Sequence, residues 1–279
     1  MKHTLRLVSI AQNAPGPVAV ARLVQRGATA IKIEPPSGDA LEALSKSWYD
    51  ELHAGVRVER LDLKSPEGVA ALKTLLRDCD LFVASQRPAA LARLGLDAAS
   101  LARDYPALRH LNIVGDTTAP GHAGHDLTYQ AQHGLLWRQL PLTLVADMVG
   151  AERAYAAAIE VMDDAPGAHR VVGLANVIHD IAAPLRHGLT APGGPLGGGN
   201  PAYGLYAARE GMVAVAALEP HFRARLYESL GLADGSDPGA AFKTRTALEW
   251  DEWAKPLDLP IVAVRDARGQ VKKFAPGEG

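Results

Sequence analysis

Short apolar runs alternate with helical segments over the first 115 residues, and this alternation leaves few topologies open. The runs are Leu5–Ile10, Ala30–Glu34, Val56–Leu61, Leu81–Ala84 and Leu108–Val114. A strand–helix–strand unit of this kind closes right-handed and sets its strands parallel. Asn13-Ala14-Pro15-Gly16-Pro17 forms the first turn. Pro17 suits the first turn of a helix over Val18–Arg26, and Gly27 suits its stop. Ser65-Pro66-Glu67-Gly68 carries a serine cap, a proline at the first helical position and an acid in the first turn. The fold class predicted is α/β, a doubly wound domain with a parallel sheet. Its large domain spans residues 1–190.

Long helices are predicted over Asp147–Met162 and Asn176–Arg186, with a strand at Arg170–Leu174 between them. The glycine- and proline-rich run Ala191–Pro201 excludes regular structure. It reads as a mobile loop or linker over 191–203. Beyond it, Gly204–Ala208 and Met212–Ala217 flank Arg209-Glu210-Gly211 as an antiparallel hairpin. A helix from Glu219-Pro220 to Leu230, a short helix at Leu248–Lys255 and a strand at Ile261–Val264 complete a small α+β domain over 204–279.

Composition removes several function classes. A net charge of −2 without a basic block argues against nucleic-acid binding. Cys79 is the only cysteine, which excludes a disulfide framework and a cysteine-ligated zinc and fits a reducing cytoplasm. The run Met1–Val8 reads as a first strand and not as a signal peptide. No apolar run reaches the ~20 residues of a membrane span. A Gly-x-Gly-x-x-Gly turn, a Walker loop and a Gly-x-Ser-x-Gly elbow are all missing. The histidines are scattered singly, so no metal site is expected.

The chemistry concentrates in Gly124–Gly150. Gly124-His125-Asp126-Leu127-Thr128-Tyr129 leads into an apolar passage and then Leu144-Val145-Ala146-Asp147. An imidazole and carboxylates among apolar neighbours are the usual parts for moving a proton. The plainer readings stand beside this one: a structural His–Asp pair, and Asp147 as a helix N-cap.

Several blocks, in order, resemble the family III CoA-transferases, which include the α-methylacyl-CoA racemases. The blocks are Pro15-Gly16-Pro17, Gly27-Ala28 with Ile31-Lys32-Ile33-Glu34-Pro35-Pro36, Leu61-Asp62-Leu63-Lys64, Arg87-Pro88 with Leu94-Gly95-Leu96, Gly124-His125-Asp126, Asp147, and Gly197-Gly198-Gly199-Asn200-Pro201 with Tyr203. Phe242-Lys243-Thr244-Arg245-Thr246 is similar to the family's Thr-Arg motif. The resemblance implies a Rossmann-like large domain, a small domain after the glycine loop, a homodimer and an acyl-CoA thioester as substrate. It implies no permanently bound cofactor and no metal.

Asp147 matches the aspartate that transferases use as a nucleophile and racemases as a base. His125-Asp126 matches the racemases' partner base, and Glu219-Pro220-His221-Phe222 matches their glutamate motif. On this reading Glu219 holds the imidazole tautomer, Asp126 pairs with Asp147 through a shared proton, and Tyr129 lines the pocket. Gly124 and the helix start after it offer amides to an enolate oxygen. Leu63, Lys64 and Arg87 match CoA-binding positions. The family's Asn-Arg-Gly-Lys segment is replaced by His53-Ala54-Gly55-Val56, which lacks its two cations. The family also has a segment returning from the small domain to the large one, beyond what the residues after Val264 supply. Three activities remain open: epimerisation at the α-carbon, CoA transfer through Asp147, and CoA binding without catalysis.

Overall fold

The computed structural model describes residues 4–136 and 139–271; the part of the first-strand reading that falls on Met1–His3 lies outside them. The chain divides into two units, Met1–Ala182 and Ala183–Gly279.

In the first unit, strands and helices follow as β1 (Arg6–Ser9), α1 (Pro15–Gln25), β2 (Thr29–Glu34), α2 (Ala40–Leu44), α3 (Lys46–Leu52), β3 (Val56–Arg60) and α4 (Pro66–Leu76). Then come β4 (Leu81–Ala84), α5 (Pro88–Leu94), α6 (Ala98–Asp104), β5 (Arg109–Val114), α7 (Asp126–Gln132), α8 (Val145–Asp163), β6 (His169–Gly173) and α9 (Leu174–Ile181). The six strands form one parallel sheet in the order β3-β2-β1-β4-β5-β6. The winding reverses between β1 and β4. Loops diverge there at the carboxyl ends of the strands and leave a crevice.

Alternation along each strand sends side chains to two cores. Leu7, Leu81, Val83, Leu111 and Ile113 face α1, α8 and α9. Val8, Phe82 and Ala84 face α4, α5 and α6 through Leu72, Leu76, Leu91 and Leu101. Both faces of β4 are therefore covered, and all four of its residues are buried. Helix α8 turns alanines inward at 146, 151, 154, 157 and 158. Small side chains there let α8 lie close to α1, whose buried face carries Ala19 and Ala21.

The second unit has a short helix α10 (Ala183–Arg186), strands β7 (Tyr203–Ala207), β8 (Met212–Ala216) and β9 (Ile261–Ala263), and helices α11 (Pro220–Leu230), α12 (Gly239–Phe242) and α13 (Ala247–Ala254). The strands form an antiparallel sheet in the order β7-β8-β9. Val213, Val215, Phe242, Trp250 and Ile261 fill its core. The architecture is α/β with a small α+β unit.

Three readings of the sequence change here. The helix expected over Asn176–Arg186 ends at Ile181 and restarts at Ala183, because Pro184 brings no amide to continue the ladder. The division between units falls at Ala182, earlier than the 190–191 boundary. The run 191–203 is a folded set of turns belonging to the second unit and not an open linker. Gly193 donates to Gly197, Gly199 to Gly194 and Leu196 to Leu189 through the backbone. A Cβ on Gly194, Gly197 or Gly199 would overlap a backbone carbonyl oxygen, so the glycines permit this packing. Among the described residues no helix is long and apolar enough to cross a membrane.

One core residue carries a pH cost. His110 on β5 is 3% exposed, stacks on Phe82 and His169, and has no hydrogen-bond partner on either ring nitrogen. Burial, with a smaller contribution from His169, pushes its imidazole down to about 3. Below the ordinary histidine pKa the unfolded chain takes up a proton that the folded one refuses. Stability is therefore full above that pKa and falls by about 1.4 kcal/mol per pH unit as the pH drops toward the folded value. His110→Phe keeps the ring stack and removes the titration. Urea unfolding between about pH 6 and about pH 4 should show a shallower loss of stability for this variant than for the wild type.

Candidate active site

Four of the expected site residues, His125, Asp126, Tyr129 and Asp147, lie past the end of β5, on α7 or at its N-cap and on α8. From Gly115 the chain crosses the carboxyl edge of the sheet to α7, and α8 returns beside it. Asp126, the first residue of α7, is 4% exposed. Its Oδ1 accepts the amides of Ala146 at 2.6 Å and Asp147 at 3.2 Å, and its Oδ2 accepts Gln130 Nε2 at 2.5 Å. The first turn of a helix exposes amides that need acceptors, and Leu144 at the N-cap offers no side-chain acceptor. Asp126 supplies one from 20 residues away. The sequence reading gave Asp126 a proton shared with Asp147. The carboxylate instead accepts backbone amides and the Gln130 amide, so its geometry is that of a helix cap.

Asp147 is the third residue of α8 and not its N-cap. It is half-buried. Burial, and then the negative charge of Asp126, push its carboxyl up to about 6. Near neutral pH both its protonation states are accessible.

Tyr129, one turn into α7, is 6% exposed. Its ring lies across two glycines. A Cβ on Gly124 would fall within 2.6 Å of Tyr129 Cζ, and one on Gly115 would overlap the hydroxyl. Gly124 is thus held small by the tyrosine. Burial pushes the Tyr129 phenol up, the charges of Asp147 and Asp116 push it further, and Arg87 draws it back. The hydroxyl accordingly lies within electrostatic reach of both Asp147 and Arg87.

His125 is exposed and is the N-cap residue of α7. Its backbone N–H donates to Thr128 Oγ1 at 3.0 Å, and that hydroxyl donates to the His125 carbonyl at 2.8 Å. The His125 amide is therefore already engaged and is not left for an enolate oxygen.

A crevice of about 400 Å³ opens at the switch point between β1 and β4. Leu63 and Lys64 lie on its wall, together with Ile10, Gln12, Gln86 and Arg93. Lys64 is exposed, and its backbone N–H donates to Asp62 Oδ1 at 2.9 Å. Arg87 is exposed immediately before α5. Gln12, Gln86 and Arg93 did not emerge from the sequence reading. The i, i+3 spacing of Ala90 and Arg93 on α5 was the available signal for the last. A larger cleft of about 650 Å³, beside Arg26, Asp80 and Arg109, opens at the amino ends of the strands, away from Asp147. Ligands of open α/β sheets bind at the carboxyl edge, so the smaller crevice is the candidate.

Glu219 is the N-cap residue of α11, in the second unit. In the Phe242–Thr246 motif, Thr246 caps α13 and Arg245 lies over the Trp250 ring at 4.8 Å.

Residues 3–273 match the description CoA-transferase family III. The chain belongs to CoA-transferase family III. It is 28% identical over 279 residues to the human alpha-methylacyl-CoA racemase, covering 89% of this chain and 68% of the racemase. It is 32% identical over 149 residues to the succinate–glutarate CoA-transferase of Agrobacterium fabrum (strain C58 / ATCC 33970), covering 47% of this chain and 37% of that protein. Its fold is shared with a CAIB/BAIF family protein from Brucella suis, at a TM-score of 0.77 and 20% identity, over 95% of this chain and 84% of the other. It is shared as well with a hypothetical protein from Mycobacterium tuberculosis, at a TM-score of 0.81 and 18% identity, over 95% and 83%.

Within this family III chain the cap and the candidate acid are electrostatically linked. Asp126→Asn keeps an oxygen for the Ala146 and Asp147 amides and removes the like charge. Carbon NMR titration of the Asp147 carboxyl should give a midpoint of about 6 for the wild type and a lower midpoint for Asp126→Asn. An unchanged midpoint would mean that burial alone sets it.

Proposed function

We propose that the chain acts on an acyl-CoA thioester at its α-carbon, with Asp147 and His125 as the two bases of an epimerisation. The supporting observation is the Asp147 carboxyl held at about 6. A group that accepts a proton in one direction of reaction and returns it in the other works best near the operating pH. His125 supplies an imidazole, the side chain suited to the same task.

In this reading one base takes the α-proton and the C–H electron pair moves onto the carbonyl oxygen as an enolate. The conjugate acid opposite then delivers a proton to the other face, inverting the centre. The enolate needs stabilisation because a thioester α-proton is only weakly acidic. Tyr129 is the candidate hydroxyl for that oxygen, and Gly124 leaves room for its ring. Leu63 and the cations Lys64 and Arg87 receive the CoA portion along the carboxyl edge. Asp126 acts as a positioning residue, through α8. The substrate thioester carries the chemistry, with no resident cofactor or metal invoked.

CoA transfer is the second reading. It is supported by the partial exposure of Asp147 and by the likeness to the Agrobacterium transferase. There the Asp147 carboxylate attacks the thioester carbonyl, the C–S bond breaks, CoA leaves as thiolate, and a mixed anhydride remains on the enzyme.

Incubation with 2-methylacyl-CoAs in D₂O, read by mass spectrometry, separates the readings. Epimerisation should fall at least about a hundredfold in both His125→Ala and Asp147→Ala. Each single variant should still exchange on the face its remaining base serves. A covalent adduct trapped on Asp147 with hydroxylamine, in a His125→Ala protein that stays active, would establish transfer instead. Absence of both exchange and transfer, with CoA still bound, would leave a binding protein. The proposal includes a cytoplasmic homodimer; light scattering that gave a stable monomer at micromolar concentration would overturn the dimer.

A further inference from the structure

A buried charged cluster lies beneath the β1–α1 turn and takes no part in the chemistry above. Lys32 and Glu34 sit on one face of β2, with side chains 2% and 0% exposed. A lysine ammonium has three protons to place, and a buried one needs an acceptor for each. Lys32 Nζ lies 3.0 Å from Glu34 Oε1, 2.6 Å from Asp39 Oδ2 and 2.9 Å from His53 Nε2. The other ring nitrogen of His53 lies 2.6 Å from the Tyr49 carbonyl oxygen. A carbonyl only accepts, so Nδ1 carries the ring proton and Nε2 turns its lone pair to Lys32. The Tyr49 ring stacks on the imidazole at 4.0 Å, and its hydroxyl donates to Glu34 Oε1 at 2.8 Å.

Asp39 passes this arrangement to the crevice. Its carboxylate accepts the Leu41 amide at 3.0 Å, at the start of α2, and the Asn13 amide at 3.1 and 3.2 Å. Asn13 stands at φ 64°, in the left-handed region, so its turn depends on such support. Its neighbour Gln12 donates its amide to Ser85 Oγ at 3.1 Å, and Gln12 and Ile10 form part of the crevice wall.

We propose that His53 is a positioning residue for the CoA crevice: uncharged, it accepts the third proton of Lys32, and through Lys32 and Asp39 it holds the Asn13 turn and Gln12 in place; protonated, it releases them. The proposal rests on the acyl-CoA reading. Protonation would set an N–H against the ammonium at the present 2.9 Å, so one of the two groups must move. The groups bearing on the ring are Lys32 and Glu34 from β2, Asp39 from the loop before α2, and Tyr49 from α3. Burial lowers its pKa and Lys32 adds to this, while the Tyr49 carbonyl, Glu34 and Asp39 oppose them, so the release lies on the acid side of the ordinary histidine range.

Hydrogen–deuterium exchange over residues 10–16 tests the support, and calorimetry with free CoA tests its consequence. His53→Leu removes the acceptor, and His53→Gln keeps an oxygen in reach of Lys32 without titrating. Exchange over 10–16 should be about tenfold faster in His53→Leu, with CoA binding weakened about as much, and both restored in His53→Gln. After correction for intrinsic exchange chemistry, acid should loosen the segment in the wild type and not in His53→Gln. Unchanged exchange in a folded His53→Leu protein, or an equal acid response in wild type and His53→Gln, would overturn the proposal. Faster exchange in His53→Leu, with a wild type that binds no CoA, would support the role in the turn and overturn the CoA reading beneath it.

Discussion

The candidate site depends on one carboxylate that caps a helix to which it does not belong. Asp126 leaves α7 and receives the first amides of α8, so the two helices share a fixed junction. Burial, and then the same charge, raise the Asp147 carboxyl. Structural and electrostatic roles therefore fall to a single side chain. An uncapped, buried helix start would cost on the order of 1–2 kcal/mol. Without that charge the Asp147 carboxyl would sit lower, raised by burial alone.

The sheet supplies the rigidity that this junction needs. Its strands alternate between two cores, and the helix carrying Asp147 is seated against one of them by alanines. Gly150 extends this close packing, since a Cβ there would overlap Leu174. The end of α8 that carries Asp147 is thus set by a long, closely packed helix and not by a loop. Tyr129 is fixed in a similar way, against Gly115 and Gly124.

Buried polarity is handled in two contrasting ways. Around Lys32, every ammonium proton finds an acceptor, and the cluster ties β2, α2, α3 and the Asn13 turn together. At His110 the nitrogens find none, and the imidazole is kept uncharged by burial. The first arrangement positions backbone beside the crevice. The second only fills space between Phe82 and His169.

The order of strands and helices was legible in the sequence because it rests on local periodicity and on caps such as Ser65-Pro66 and Gly27. Those signals act within a few residues. The same locality made Asp147 look like a cap of its own helix, made Asn176–Arg186 look continuous, and made the glycine run look like a linker. Each depended on something nearby in space or on backbone packing: the Asp126 carboxylate, the missing amide of Pro184, and turns closed by Gly193–Gly199. His53 drew no role of its own from the sequence, because nothing in the chain's order reveals that Lys32 lies 2.9 Å from its ring. Which residues can form a strand or a helix is settled by neighbours along the chain. Which amide, proton or charge a side chain meets is settled by distance, and only the folded packing brings residues 126 and 146, or 32 and 53, within hydrogen-bonding range.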